Sequence, residues 1–381
     1  MRDFSLFNPT RIEFGKDKEN NIGQYVSEYG VKKVLLVYGS NRIKHSGLFD
    51  RVAASLAEKR IEFVELGGVV SNPVLSKVNE GIELARKEQV DGVLAVGGGS
   101  VLDSVKAIAA GAKYDGDVWD FFVFKAIPSD ALPLFSIITL AATGSEMNNG
   151  GVVMNEGTKE KFALVGPALF PKVSIINPEL QASVGRDYLA YSAADIFAHC
   201  LDLYFTASYM PEFTNTHIEN ILRTVIRTTE ALLDNSDDYN ARGEFAWAAT
   251  QALNGSTLAG VEGNSYDTHV VEHAMSALFN IAHGAGLSIV MPAWMKWHKH
   301  KNPAQYERFA KEVFNVEGAD EGIKQLEAWF RKINTPVTLA EGHIPREAIS
   351  DLAENAHGLA TTWGMGALYT KESIVEILEL A

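Results

Sequence analysis

The sequence predicts an α/β domain built on a parallel sheet, followed by an all-helical domain. Three observations carry that prediction. Short apolar, β-branched runs alternate with helix-like segments up to about residue 180. From about residue 184, apolar residues recur at i, i+3 and i+4, the period of amphipathic helices. Three consecutive glycines, Gly97, Gly98 and Gly99, close one apolar run just before a helical pattern begins.

The elements follow in order. KKVLLVYGS (32–40) reads as a strand ending in glycine, and LFDRVAASLAEKR as the helix after it. IEFVELGG (61–68), the helical VLSKVNEGIELARKEQV and GVLAVGGGS (92–100) repeat the pattern. LPLFSIITL (132–140) and VSIINPEL (173–180) are two further strands. Continuous apolar runs of this kind fit strands buried on both faces, and their alternation with helices fits βαβ units. GGVVMN and KFALV, split by EGTKE, read as a hairpin appended to that sheet. RDYLAYSAADIFAHCLDLYF, TNTHIENILRTVIRTTEALLDN and EFAWAATQALNGSTLAGV open the helical half, which runs on to ESIVEILELA. The expected domains are 1–183 and 184–381, with no Pro/Gly-rich linker between them.

Length and composition agree with two globular domains: 381 residues, 46% apolar and 22% charged. The formal net charge of -14 argues against a nucleic-acid partner, whose phosphates require a basic surface. A single cysteine, Cys200, excludes an intramolecular disulfide and a Cys-rich zinc module. The opening MRDFSLFNPTRIEFG lacks the apolar core of a signal peptide, and no apolar run approaches the roughly 18 residues of a membrane span. A cytoplasmic protein without membrane contact is expected.

The glycine run carries the first functional expectation. Glycines between strand and helix let a phosphate approach the backbone, and the helix N-terminus offers free N–H groups and a favourable dipole. Ser100 reads as the N-cap of a helix over 101–109. The other reading is an ordinary tight turn, since the run is not the GxGxxG fingerprint. TLAATGSEMNNGG (139–151) is a second loop of small and polar residues after a strand. Ligands of open α/β sheets bind beyond the carboxyl ends of strands, so two such loops could line one crevice.

The histidines carry the second. Asp195 and His199 stand at i, i+4 among apolar neighbours, on one face of a helix. A carboxylate buried there must be paired or bound to a metal. His269 and His273 repeat the spacing, and His283 lies fourteen residues beyond His269. On one straight helix those fourteen residues would separate His269 from His283 by about 21 Å. Both can serve one ion only if the helix breaks near Asn280, which tolerates the left-handed conformation, with Gly284 and Gly286 favouring a turn. Asp195 with three histidines makes a plausible divalent site; the alternative is a buried Asp–His pair among core histidines. Spacing does not choose between His269 and His273.

Read together, the motifs GGGSVLDSVK, TLAATGSEMN, INPEL, DxxxH at Asp195–His199 and HxxxH…HG from His269 to Gly284 resemble the iron-containing alcohol dehydrogenases. The resemblance runs from FNPTRIEFGK to the C-terminal YTKESIVEILELA. It implies an N-terminal dinucleotide-binding domain, a helical C-terminal domain, and the fold shared with dehydroquinate synthase. It implies metal ligands Asp195, His199, His269 and His283, with His273 in the site as a proton relay. It implies that Gly97, Gly98, Gly99, Ser100 and Asp103 hold a pyrophosphate, that Thr139, Thr143 and Leu180 line the nucleotide, and that Lys161 approaches a cofactor phosphate. Substrate contacts fall on Asn149, Gly151 and Val153.

One departure bears on the coenzyme. Many NAD-using members carry an acid at the end of the first dinucleotide-domain strand. Here Gly39 and Ser40 stand there, followed by Asn41, Arg42 and Lys44. Removing the carboxylate removes repulsion of a 2′-phosphate, so NADP(H) is expected over NAD(H). The expected metal is Fe(II) or Zn(II), whose ligand preferences three imidazoles and a carboxylate do not separate. The expected reaction is hydride transfer between nicotinamide and a small neutral aldehyde or primary alcohol, with the metal as Lewis acid. A glycerol dehydrogenase and a dehydroquinate-synthase-like lyase are the rival activities on this fold, and a homodimer is the expected assembly.

Overall fold

The computed structural model describes residues 1–381. Two compact units emerge. One comprises Phe7–Thr158 and Phe162–Val184, the other Met1–Leu6, Lys159–Lys161 and Gly185–Ala381. The short segments 1–6 and 159–161 therefore belong with the helical unit rather than with the residues that flank them.

The α/β unit contains strands β1 (Arg11–Phe14), β2 (Lys33–Tyr38), β3 (Glu62–Leu66), β4 (Gly92–Gly97), β5 (Leu134–Ile138), β6 (Gly150–Asn155), β7 (Glu160–Val165) and β8 (Val173–Ile176). Its helices are α1 (Ile22–Ser27), α2 (Arg42–His45), α3 (Leu48–Glu58), α4 (Leu75–Lys87) and α5 (Gly99–Ala112). Six strands form one all-parallel sheet in the order β1-β8-β5-β4-β2-β3. The continuous apolar runs became its inner strands: β4, β5 and β8 are buried along their whole length, whereas the edge strands β1 and β3 are only partly covered. On one face Val34, Leu36, Leu94, Val96, Phe135 and Ile137 form a core with Ile22 and Val26 of α1 and Val52 and Leu56 of α3. Burying each such side chain stabilises the fold by roughly 1.5–3 kcal/mol.

Two features differ from expectation. β1, RIEF, is a four-residue edge strand whose polar residues hid it from a search for apolar runs. β6 and β7 pair as a separate two-stranded sheet rather than extending the main one. The strand order also defines a switch point. From β2 the chain moves outward to β3, then returns across β2 to β4. The crevice beyond the carboxyl ends of β2 and β4 is where such sheets bind ligands.

The helical unit contains α6 (Arg186–Thr206), α7 (Glu212–Asp234), α8 (Tyr239–Ala252), α9 (Asp267–Phe279), α10 (His283–His298), α11 (Pro303–Phe314), α12 (Ala319–Lys332), α13 (Ile349–Thr362) and α14 (Lys371–Glu379). α6 is buried nearly all round and packs against α7, α9 and α10. A helix without a polar face is the centre of its bundle. The break expected near Asn280 is present: α9 ends there with Asn280 at φ 51°, and α10 begins three residues later. Gly284 and Gly286 lie inside α10 and do not form the turn. A Cβ on Gly284 would lie 1.9 Å from the Tyr191 carbonyl oxygen, so glycine there permits α10 to touch the α6 backbone. Cys200 is buried in α6, as expected of a core thiol. No helix is long and apolar enough to cross a membrane.

Candidate metal centre and nucleotide edge

Asp195 and His199 project from the same face of α6, as their i, i+4 spacing requires. His199 Nε2 lies 3.5 Å from Asp195 Oδ1. α9 brings His269 Nε2 to 3.9 Å from that oxygen, and the first residue of α10 brings His283 Nε2 to 3.6 Å. Ligands bonded to one tetrahedral ion at about 2.0–2.2 Å lie roughly 3.3–3.6 Å from one another. Three imidazole nitrogens therefore surround one carboxylate oxygen at close to ligand–ligand spacing.

The chemistry of these atoms fits a divalent ion. Asp195 Oδ1 and His269 Nε2 are buried without a hydrogen-bond partner. An orphaned buried polar group costs about 1–3 kcal/mol, which a cation would offset. Burial alone would raise the Asp195 carboxyl, but His199, His269 and His283 outweigh it and hold the group below the usual carboxylate range. Burial works against charge on His269 too, yet its contacts with Asp195 and Asp202 push it up to about 9. The pocket draws positive charge.

Neighbouring groups orient the rings. His269 Nδ1–H donates to Asp202 Oδ2 at 2.7 Å, which turns the Nε2 lone pair toward Asp195. Asp202 also accepts from the Thr268 N–H at 2.9 Å and the Thr268 hydroxyl at 3.0 Å. Such carboxylate–histidine pairs fix the tautomer of a metal ligand. His273 is different. Its Nδ1–H donates to the Lys161 carbonyl at 2.8 Å, and its ring lies 5.6 Å from that of His283 and 5.8 Å from Trp363. Burial and then the Lys161 charge hold it well below its ordinary pKa, so it is a neutral imidazole with a free Nε2 lone pair. His269 Nε2 thus faces Asp195, whereas His273 is tied to a backbone carbonyl.

Asp202 escaped the sequence reading although it follows Asp195 by seven residues and His199 by three, on the same helical face. Glu272, a fully buried acid immediately before His273, escaped as well. Lys161, expected near a cofactor phosphate, is buried, with Nζ 3.5 Å from Glu272 Oε2 and 3.2 Å from His283 Nδ1. The Asn355 amide donates to the Lys159 carbonyl at 2.8 Å and ties this segment to α13.

The expected nucleotide residues of the α/β unit gather at one edge of the sheet. Gly39 and Ser40 follow β2, Gly97 to Ser100 follow β4, Thr139 and Thr143 follow β5, and Leu180 follows β8. These four strands are neighbours in the sheet. α5 is capped by Gly98 rather than Ser100, because the glycine run starts the helix early. Ser100 sits in the first turn, its hydroxyl donating to the Ser71 carbonyl. A Cβ on Gly99 would lie 2.5 Å from Thr143 Cγ2 and Oγ1, and one on Gly98 would lie 3.2 Å from Leu140 Cβ. The glycines therefore let the 140–143 loop pack closely against the start of α5.

Asp103 was expected beside the pyrophosphate. Its Oδ1 accepts from Ser145 Oγ at 2.9 Å and its Oδ2 from the Val152 N–H at 3.1 Å. Lys106 donates to Ser145 Oγ and Asn148 Oδ1, each at 2.8 Å, and to the Gly150 carbonyl at 2.6 Å. Asp103 and Lys106 together fasten the 143–152 loop. Of the residues expected at the substrate, Asn149 is half-buried, Gly151 packs on the Asp103 backbone and Val153 is fully buried. Near Ser40, the Arg42 guanidinium donates to the Ser183 carbonyl at 3.2 Å and Lys44 pairs with Glu65 at 2.6 Å.

Comparisons with known proteins agree with this geometry. Residues 9–178 match the model of the iron-containing alcohol dehydrogenases, and residues 189–381 match that of the family's C-terminal region. The chain is 40% identical to the probable NADH-dependent butanol dehydrogenase 1 of Bacillus subtilis, covering 100% of this chain and 99% of that protein. It is 31% identical to the NADPH-dependent aldehyde reductase YqhD of Escherichia coli, covering 94% of each. A crystal structure of the NADH-dependent butanol dehydrogenase A of Thermotoga maritima superposes with a TM-score of 0.97 at 45% identity, over 100% of this chain and 99% of that one. The chain belongs to the iron-containing alcohol dehydrogenase family and is an oxidoreductase of the alcohol dehydrogenase class.

Proposed function

We propose that the protein is an NAD(P)H-linked aldehyde reductase and alcohol dehydrogenase for small neutral aldehydes and primary alcohols. Asp195, His199, His269 and His283 would hold Fe(II) or Zn(II). The observation that carries this reading is the convergence of three Nε2 atoms on Asp195 Oδ1 within 3.9 Å. The bound ion would supply Lewis acidity toward the substrate oxygen, and the nicotinamide the hydride. The chain's own groups do the rest. Asp202 keeps His269 aimed at the ligand cluster. His273, neutral and buried, offers its Nε2 to take or return the proton of the substrate hydroxyl.

NADP(H) is favoured over NAD(H) because no carboxylate stands at Gly39 or Ser40, and Glu65 is already paired with Lys44. The NADH named for the Bacillus and Thermotoga relatives weighs the other way. A homodimer is favoured by β1, a sheet-edge strand preceded by the exposed Phe7. Light scattering that gives the mass of one chain would remove the dimer.

The deciding experiment strips the protein of metal, reloads it anaerobically with Fe(II) or Zn(II), and follows NADPH and NADH oxidation with short aldehydes. The expected result is activity that returns only with metal and is larger with NADPH. Metal-independent turnover would end the four-ligand reading. Turnover of glycerol but not of aldehydes would favour the polyol enzyme. His273→Ala should slow the reaction by about 10²-fold with metal content unchanged; loss of metal in that variant would make His273 a ligand.

A further inference from the structure

The helical unit holds a second histidine–carboxylate cluster next to the first. Glu272, His273 and His283 bring one donor atom each within 4.8 Å of one another. His283 belongs to both clusters, offering Nε2 to Asp195 and Nδ1 to Glu272. The two clusters differ in what balances their charge. The first leaves Asp195 Oδ1 and His269 Nε2 without partners. The second already contains a cation, because the Lys161 ammonium lies 3.5 Å from Glu272 Oε2 and 3.2 Å from His283 Nδ1.

Glu272 is fully buried, and a buried carboxylate must have partners. The Ser276 hydroxyl donates to Oε1 and the His283 Nδ1–H donates to Oε2. Nδ1 stands between a carboxylate that only accepts and, at 3.2 Å, an ammonium that only donates; the Glu272 contact is the closer, and with the proton on Nδ1 the lone pair is on Nε2, facing Asp195. The backbone makes room for this contact. A Cβ on Gly286, one turn into α10, would lie 2.7 Å from Glu272 Oε1 and 2.8 Å from its Cγ. His283 also needs an anchor more than the other ligands do. It is the first residue of its helix, and its side chain is 24% exposed against 8% for His269 and 7% for His199.

We propose that Glu272, balanced by Lys161, is a positioning residue that fixes the tautomer and orientation of His283 and so makes its Nε2 the fourth donor of the metal centre. This rests on the four-ligand reading above. A buried ion pair by itself adds little net stability compared with an apolar pair of the same size. The pair's role lies in the ring it holds.

The test measures Zn(II) affinity of the full-length apoprotein by chelator competition, together with the visible spectrum of the Co(II)-loaded form. Three changes are compared: Glu272→Gln, the double change Glu272→Leu with Lys161→Met, and His283→Ala. The double change removes both charges, so neither is left buried alone. It should weaken Zn(II) binding by roughly 10- to 100-fold and alter the Co(II) bands. Glu272→Gln keeps an acceptor but loses the charge, and should weaken binding several-fold. Wild-type affinity and an unchanged Co(II) spectrum in the double variant would reduce the pair to a structural one. If that variant does not fold, Glu272→Gln decides: affinity within twofold of wild type overturns the proposal. His283→Ala separates the two claims. If it weakens binding while the Glu272 variants do not, only the positioning role falls. If it too leaves affinity unchanged, His283 is no ligand, and the four-ligand reading falls with it.

Discussion

The metal cluster of the helical unit and the nucleotide edge of the α/β unit are built on opposite principles. The cluster is made of side chains: Asp195, His199, His269 and His283 are aimed by Asp202 and Glu272. The edge is made by leaving side chains out, at Gly39 and at Gly97, Gly98 and Gly99. In the first, lone pairs and charge decide what binds, so a change of equal volume should destroy it. In the second, close packing against the glycine backbone decides, so added volume should destroy it and a change of charge nearby should not.

Four experiments would break or sharpen that contrast. The largest effect is expected from Asp195→Asn, which keeps the volume and removes the charge. Metal content should fall to background and the rate by about 10³-fold or more, since the Lewis acid is worth several kcal/mol. Elemental analysis beside kinetics checks this, and a metal-replete active variant would refute the charge argument.

Next comes Lys106, the buried charge of the α/β unit. Desolvation lowers it to about 8, against the attraction of Asp103 and Glu146. The unfolded lysine keeps its proton up to about 10.4. Between these values the unfolded state binds more protons, so stability rises with pH, by up to about 3 kcal/mol for this group. Melting temperatures from pH 8 to 10 should show the rise in wild type relative to Lys106→Met. Parallel curves would mean that Lys106 keeps its proton throughout.

Third is Gly284→Ala. Its Cβ would meet the Tyr191 carbonyl at 1.9 Å, so α10 must shift. A loss of about 1–3 kcal/mol of stability is expected, with weaker metal retention because His283 begins that helix. Space thus matters even in the charge-built site, through the backbone that carries a ligand. The smallest effect is Gly99→Ala, whose Cβ would press on Thr143. The coenzyme KM should rise by about tenfold, or roughly 1.4 kcal/mol, with metal content intact. An unchanged KM would mean that the α5 N-terminus does not face the coenzyme.

What the sequence made legible follows periodicity and composition. Five runs became β2, β3, β4, β5 and β8; the inner four are continuously apolar because both their faces are buried, while β3 lies at the edge. The DxxxH pair was legible because helical spacing puts both side chains on one face. The helix break at Asn280 was legible because one ion cannot span 21 Å of helix. β1 was not legible, since RIEF at a sheet edge needs no apolar alternation. His298 is followed by the polar KHKN, yet it is buried, stacked on Trp294 and 3.1 Å from the Tyr306 hydroxyl. Polar neighbours in sequence do not reveal which way one residue of a helix faces.

By itself, then, the sequence determined the division into an α/β part and a helical part, the place of the glycine loop between β4 and α5, and which residue types could hold a divalent ion. These depend on local rules: the period of a helix, the burial of a strand, the room a glycine leaves. Only the tertiary structure decided that Asp103 and Lys161 are committed to neighbours within the protein, and that Asp202 and Glu272 hold the ligand rings. A carboxylate's role depends on what lies within about 3 Å of its oxygens. Partners such as Asp202 and His269, 67 positions apart in the chain, become neighbours only when α6 and α9 pack together.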